Sequence, residues 1–321
     1  MQIWNLIGEC FGAVRNYVEP FFGSGAVLLG RPTPFDGPET INDLDGYVAN
    51  FWRAIKLSPE ATAEHADWPV SENDLHARHI WLVGQRADLR ARLEGDPDYH
   101  DPKIAGWWAW GICSWIGSGW CSGNGPWSVK DGKLVHLGDA GRGVNRKLVH
   151  LGDAGRGVNR QLVHLGNAGQ GVNRKRALIF DWFQILSDRL RNVRIASGDW
   201  SRVTGDSVTT KHGQAGVFLD PPYGSDRTDD LYATESNVTE EVQKWCATNG
   251  SNPLLRVAVC GYKGEYELPG WTQYAWKAPG GFGSQGEGRG RENAKQETIW
   301  FSPHCLNDTP VQMGIFDGVT K

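Results

Sequence analysis

What the chain lacks narrows it first. Its 321 residues contain no CxxC pair, and the six Cys at 10, 113, 121, 246, 260 and 305 do not form the even framework of a short secreted protein. They read as reduced thiols of a cytoplasmic protein. A strong excess of one charge is also missing: the formal net charge is −4, so any site for a polyanion must be local. No basic segment followed by a cleavable apolar run opens the sequence, so no secretory signal is expected. Nor is there a long Leu-, Ile- or Val-rich run. The one long stretch without Lys, Arg, Asp or Glu, residues 104–129, is built largely of Trp, Gly and Ser. Tryptophan prefers the membrane interface to its centre, so no membrane span is expected. A hydrophobic fraction of 40% with 22% charged residues excludes a disordered tail or a collagen, and leaves a globular chain long enough for two domains.

Glycine and tryptophan are present in excess, at 42 and 16 residues, and both are unevenly placed. The string KLVHLGDAGRGVNR fills 133–146 and again 147–160, and QLVHLGNAGQGVNR fills 161–174; the three copies hold nine of the glycines. Each opens on a β-type Leu-Val-His-Leu, passes through a turn composition and ends in Gly-Val-Asn-Arg. The copies read either as a stack of small strand-and-turn units or as a flexible loop. Their histidines, His136, His150 and His164, have no Cys or carboxylate at ligand spacing, so no metal is expected. Six tryptophans between 107 and 127 stand just before the repeats and read as the core of an inserted domain. A second Gly-rich run, 280–291, reads as a closing loop or as a connector.

On either side of this insert the chain reads as α/β. Asn16–Phe21 has the composition of a strand, followed by Gly23-Ser24-Gly25 and a helical run at Ala26–Leu29. Helical spacing recurs at 44–56, 73–94 and 176–191, and apolar runs at 193–197, 216–219, 255–260 and 298–301 read as buried strands. Strands alternating with helices imply a mostly parallel sheet, interrupted between about 60 and 174 by a second domain.

Two strings carry chemistry. Strand, Gly-x-Gly, helix makes a tight turn where a ligand can approach backbone amides, and Asp43, after Ile41-Asn42, supplies a carboxylate suited to ribose hydroxyls. The second string is Asp220-Pro221-Pro222-Tyr223-Gly224, after a short apolar strand. The Asp220 side chain and the Pro221 carbonyl can accept both N–H bonds of an exocyclic amine, and Tyr223 can stack on its ring. Neither proline donates, so the acceptors are stiff and preorganised. An aromatic amine is a poor nucleophile because its lone pair is delocalised; two acceptors draw the nitrogen toward tetrahedral geometry.

These strings resemble the amino-methylating DNA methyltransferases, specifically the Dam-like adenine-N6 group (D12 class, alpha group). The match rests on Glu19-Pro20-Phe21-Phe22-Gly23-Ser24-Gly25, Asn42-Asp43, Gly198-Asp199-Trp200 and Asp220-Pro221-Pro222-Tyr223, in that order. The resemblance implies a Rossmann-like methyltransferase fold with a mixed, mostly parallel sheet and an inserted target-recognition domain. It places the catalytic domain at 1–60 and 175–310, the recognition insert at 61–174 and a tail at 311–321. The cofactor implied is S-adenosyl-L-methionine, held by Glu19, Pro20, Phe21, Gly23 and Gly25 at the loop, by Asp43 at the ribose, and by Asp199 and Trp200 at the adenine. Asp220, Pro221, Pro222 and Tyr223 are the implied catalytic residues. The implied substrate is the N6 amine of an adenine extruded from double-stranded DNA, and cytosine-N4 or RNA methylation, or binding without catalysis, are the alternatives. One departure stands out: the Gly- and Lys-bearing segment that the group carries before the first strand has no counterpart after Met1, where an amphipathic stretch begins. Another loop is expected to take its place, or the start is truncated.

Charge locates the expected nucleic-acid surface. Between 130 and 176 there are ten basic and three acidic residues, a local +7 in a chain of −4. Arg142, Arg146, Arg156, Arg160, Gln170, Arg174, Lys175 and Arg176 are the expected DNA contacts, against the alternative of simple solvation. One or two of the neighbouring tryptophans are candidates to wedge beside the extruded base. No nuclease motif is visible, so a bacterial or phage-encoded modification enzyme in the cytoplasm is expected, acting at the nucleoid.

Overall fold

The computed structural model describes residues 3–31, 35–115, 120–121, 127–130, 133–136, 177–222, 235–275 and 297–306. The amphipathic stretch after Met1 forms α1 (Ile3–Phe11), burying Leu6, Ile7, Cys10 and Phe11. There follow β1 (Asn16–Glu19), α2 (Ala26–Gly30), β2 (Glu39–Asp43) and α3 (Gly46–Leu57). Three further helices come next: α4 (Pro59–Ala66), α5 (Glu72–Gly95) and α6 (Pro102–Ser114). A short antiparallel hairpin, β3 (Trp127–Lys130) with β4 (Lys133–His136), leads into the repeats; β4 is the start of the first copy, in agreement with its β-type composition. The rest of the repeats lies outside the described residues.

The chain resumes with α7 (Ala177–Leu190), β5 (Val193–Ser197), β6 (Ala215–Leu219), α8 (Glu235–Asn249), β7 (Leu255–Tyr262), β8 (Thr272–Ala275) and β9 (Glu297–Phe301). Seven strands form one sheet in the order β5-β2-β1-β6-β7-β9-β8. The first five are mutually parallel, whereas β9 runs antiparallel to both β7 and β8. The expectation of a mostly parallel α/β sheet is met. From β1 the chain builds outward first to β2 and β5, then to β6 and β7, so β1 and β6 flank the point where strand order reverses. In open α/β sheets the crevice at the carboxyl ends of such strands is the usual ligand site.

Both faces of the sheet are covered. Tyr17, Phe218, Ala258, Cys260, Ile299 and Phe301 point into a large core shared with α1 to α7, while Val18, Val217, Leu219, Val257, Val259 and Trp300 point into a second core with Val242 and Cys246 of α8. One of the strands expected to be buried differs: among the described residues β5 pairs only with β2, and Arg194, Ile195 and Ala196 are partly or fully exposed at this edge.

The first part of the Trp-rich stretch, with Trp107, Trp108 and Trp110, lies on the helix α6, not foreseen from its glycines. Asp101 caps it by accepting from the Ile104 N–H at 2.9 Å, with Pro102 in its first turn. Trp108 and Trp110 are buried on it. Its glycines are the counterpart of its rings: a Cβ on Gly106 would lie 2.6 Å from the Thr62 carbonyl of α4, and one on Gly111 would lie 1.8 Å from the Trp120 ring. The core that these tryptophans join is the one that also contains Phe51 and Ile55 of α3 and Phe183 of α7. A buried ion triad braces the same layer, with Glu39 receiving Arg31 at 3.2 Å and both Nη atoms of Arg189 at 2.7 and 2.9 Å. All six cysteines are buried and none forms a disulfide. Among the described residues, no helix is long and apolar enough to cross a membrane.

Candidate active site

A cavity of about 490 Å³ opens at the carboxyl ends of β1, β2, β5 and β6. Glu19, Pro20, Phe21, Gly23, Asp43, Asp199, Trp200, Asp220 and Pro222, all singled out from the sequence, line it together. Gly25 and Pro221 shape the adjoining backbone without lining it. Tyr223 and the eight expected DNA contacts, Arg142 to Arg176, lie outside the described residues.

The loop after β1 is built by local rules. Gly25 stands at φ 70, the left-handed region, and starts α2; its N–H donates to the Phe22 carbonyl at 2.8 Å. A Cβ there would lie 2.6 Å from Cζ of Phe22, so glycine is required twice over. The Phe22 ring meets Trp52 edge-on at 5.2 Å, and the Trp52 Nε1–H donates to the Gly23 carbonyl at 2.9 Å, which pins the loop to α3. Asn42 ties the neighbouring loops: its Nδ2 donates to the Pro20 carbonyl at 3.1 Å and to the Gly198 carbonyl at 2.9 Å.

The carboxyl groups of the cavity differ in kind. Asp43, at the end of β2, accepts from the Gly23 N–H at 2.9 Å and from the Asp45 N–H at 2.8 Å. Burial, and next the neighbouring Asp45 carboxylate, push its pKa up to about 7 despite these bonds. Asp45 caps α3 by accepting from the Tyr47 N–H at 2.8 Å, and it too is raised by burial. Glu19 departs from the role expected of it: its side chain is 98% buried and turns inward, accepting from the Tyr17 hydroxyl at 3.0 Å and the Leu28 N–H at 3.2 Å. Burial holds it well above the ordinary carboxylate range, opposed by the Tyr17 bond, with the Asp220 charge raising it further. It braces the floor of the cavity and the first turn of α2. Asp220, by contrast, is exposed at the end of β6.

An aromatic wall closes one side. Phe21 and Trp200 stack with centroids 5.8 Å apart at 30°, and Trp200 meets Trp245 edge-on at 6.3 Å. Asp199 caps the 3₁₀ turn Trp200–Val203 by accepting from the Ser201 N–H at 2.9 Å. The Trp200 indole N–H is buried and finds no partner among the described residues. An orphaned donor on a stacked aromatic wall, beside a carboxylate held by a glycine loop, fits a ligand with a heteroaromatic base and a polyhydroxyl ring. Among the described residues, no group of three or more His, Cys, Asp or Glu is placed to hold a metal ion.

Sequence reasoning missed the opposite wall. Arg86, Leu89 and Arg90 of α5 line the cavity with Asp45, Gly46 and Tyr47. The only signal for them was helical spacing, which predicts α5 but not which of its faces meets α3 and the cavity. Leu89 packs against Gly46, whose added Cβ would lie 3.6 Å from it, and the Tyr47 hydroxyl donates to the Leu82 carbonyl at 2.5 Å.

Comparison with known proteins bears on the part of the chain that carries the glycine loop and Asn42-Asp43. Residues 1–76, which span α1 through the start of α5, match the model of the family described as D12 class N6 adenine-specific DNA methyltransferase. No match was found among curated proteins.

Proposed function

Taking the chain as a D12 class adenine-specific DNA methyltransferase, the family that its first 76 residues match, we propose that it transfers the methyl group of S-adenosyl-L-methionine to the N6 amine of an adenine turned out of double-stranded DNA. When bound, this cofactor supplies an electrophilic methyl group on a sulfonium. The observation that carries the reading is the single cavity that brings the glycine loop, Asp43, Asp199, Trp200 and Asp220 together at the strand-order reversal.

The residues divide the work. Asp43 accepts from ribose hydroxyls, Trp200 and Phe21 present a face to the cofactor's adenine, and Glu19 acts through the loop, not on the ligand. β1 and β6 pair in register, Val18 with Val217, so Asp220 stands beside the end of the glycine loop and next to any methyl donor seated there. The Asp220 carboxylate and Pro221 carbonyl accept from the target amine and localise its lone pair, and Tyr223 stacks on the extruded base. Extrusion takes a few kcal/mol of stacking and pairing, which phosphate contacts must offset. We assign these contacts to the basic segment around the repeats, within a recognition insert at 61–174. The reading places the enzyme where its DNA substrate is.

The test is methyl transfer from labelled cofactor to unmethylated duplex DNA, with nucleoside mass spectrometry. N6-methyladenine is the expected product, and Asp220→Ala should lower the rate by about 10²-fold or more while S-adenosylhomocysteine still binds. Methylated cytosine, labelling of RNA alone, or activity that survives Asp220→Ala would overturn the reading.

A further inference from the structure

Asp43, Asp45, Asp199 and Asp220 line the cavity, with Glu19 turned inward beneath them, and among the described residues the cations lining it are Arg86 and Arg90. Both lie on α5, one turn apart and so on one face of that helix. They are not equivalent. Arg90 pairs with Glu94 at 3.1 Å where both side chains are about half exposed, at 53% and 43%. Arg86 is drawn inward: its Nη1 donates to the Cys121 carbonyl at 3.3 Å, and its charge opposes the upward shift of the Asp45 carboxyl and of the buried Tyr47 hydroxyl. Cys121 itself stands at φ 58, a conformation that a residue with a side chain holds only when its surroundings impose it. Here Arg86 holds its carbonyl, and its N–H donates to Nδ1 of His79, also on α5, at 3.3 Å. The guanidinium is thereby held at the cavity wall by the Cys121 carbonyl, whose place His79 helps to fix, with the Asp45 charge nearby.

A ligand of the proposed kind carries two cationic groups, the sulfonium and the α-ammonium, which suit an acidic lining. Its one anionic group at neutral pH is the α-carboxylate. Carboxylates are matched best by the planar fork of an arginine, whose five N–H donors can serve a ligand while still holding Cys121 and Asp45. We propose that Arg86 binds the α-carboxylate of the amino-acid part of the cofactor, so that a helix of the insert, and not the glycine loop alone, holds the methyl donor. The assignment rests on the reading of the cavity as the S-adenosylmethionine site.

Two ligands separate the possibilities: S-adenosylhomocysteine, which has the amino acid, and 5′-deoxy-5′-methylthioadenosine, which has the nucleoside and thioether without it. Binding of each to the full chain is measured by calorimetry. Arg86→Gln, whose amide can still donate to Cys121, should weaken S-adenosylhomocysteine by about tenfold or more and leave methylthioadenosine within about twofold. Arg86→Lys should recover part of the loss, and Arg90→Ala should change neither ligand. Unchanged binding of S-adenosylhomocysteine to Arg86→Gln, or an equal loss for both ligands, would overturn the assignment, the second outcome making Arg86 a brace of the Cys121 turn. If the parent chain binds neither ligand, the reading of the cavity fails and the assignment falls with it.

Discussion

The carboxyl edge of the sheet and the Trp-rich helices handle buried charge in opposite ways. At the sheet edge the charges are acidic and are held by backbone N–H groups, as Asp43 is by Gly23 and Asp45. In the helical layer they are basic and are held by ring faces. The Arg78 guanidinium lies 4.3 Å from the Trp110 centroid and 4.8 Å from those of Trp68 and Trp107, and Lys103 Nζ lies 4.5 Å from both Trp81 and Trp107. His79 is stacked on Trp115 at 4.8 Å, and burial lowers its pKa to about 4, so it packs as a neutral ring. Backbone amides leave an acid able to accept further bonds from a ligand, whereas rings that surround a cation consume it. The acidic region is thus arranged for recognition and the aromatic region for stability. Arg86 belongs to the helical layer by sequence and to the cavity by position.

The comparison can be broken most directly at Arg78. It is buried among three rings, and its pKa is lowered by burial to about 10. Arg78→Ala should destabilise the fold by about 2–4 kcal/mol, read as a lower urea midpoint, with S-adenosylhomocysteine affinity nearly unchanged in the folded fraction. A large loss of affinity with little loss of stability would make Arg78 a recognition residue and dissolve the distinction. Next in size is Gly25→Ala at the sheet edge, where a side chain meets both the left-handed backbone and Phe22. About 1–2 kcal/mol of stability should go, together with most of the cofactor affinity, since the loop cannot keep its shape. The smallest effect sharpens the contrast through pH. The folded-state pKa of Asp43 is raised, so its contribution to stability is fully present below its ordinary value near 4 and is lost as pH rises through about 7. Asp43→Asn stays neutral, so whatever its fixed cost in lost amide bonds, its stability relative to the parent should improve steadily between pH 5 and pH 8. A difference that stays flat with pH would mean that Asp43 is ionised throughout.

Much of this was legible from residue patterns, because the relevant forces are local. Gly-x-Gly after a strand, a carboxylate ending the next strand, and helical spacing over 44–56, 73–94 and 176–191 locate α2, Asp43, α3, α5 and α7 to within about two residues. The rest depended on partners distant in the chain. Nothing in the spacing of α6 shows that Gly106 faces α4 or that Gly111 faces Trp120, so a run rich in glycine did not read as a helix. β5 has the apolar content of an inner strand, and only the strand order makes it an edge. Glu19 sits in a motif expected to contact a ligand, yet its side chain turns to Tyr17 and Leu28, a choice made by the space beneath the loop. Arg86 was invisible because a helix reveals its stripe but not the strand that it will face.

The six buried cysteines have a practical consequence. At four of them burial has also pushed the thiol up, to about 12 at Cys10 and about 11 at Cys305, and upward at Cys121 and Cys246. A thiol reagent needs both access and a thiolate, so the native chain denies it twice. Modification therefore clocks the opening of whichever part of the chain carries the sulfur. Cys121 keeps time for the turn held by Arg86, and Cys246 for α8 on the far side of the sheet, so the two halves of the molecule come with separate stopwatches already installed.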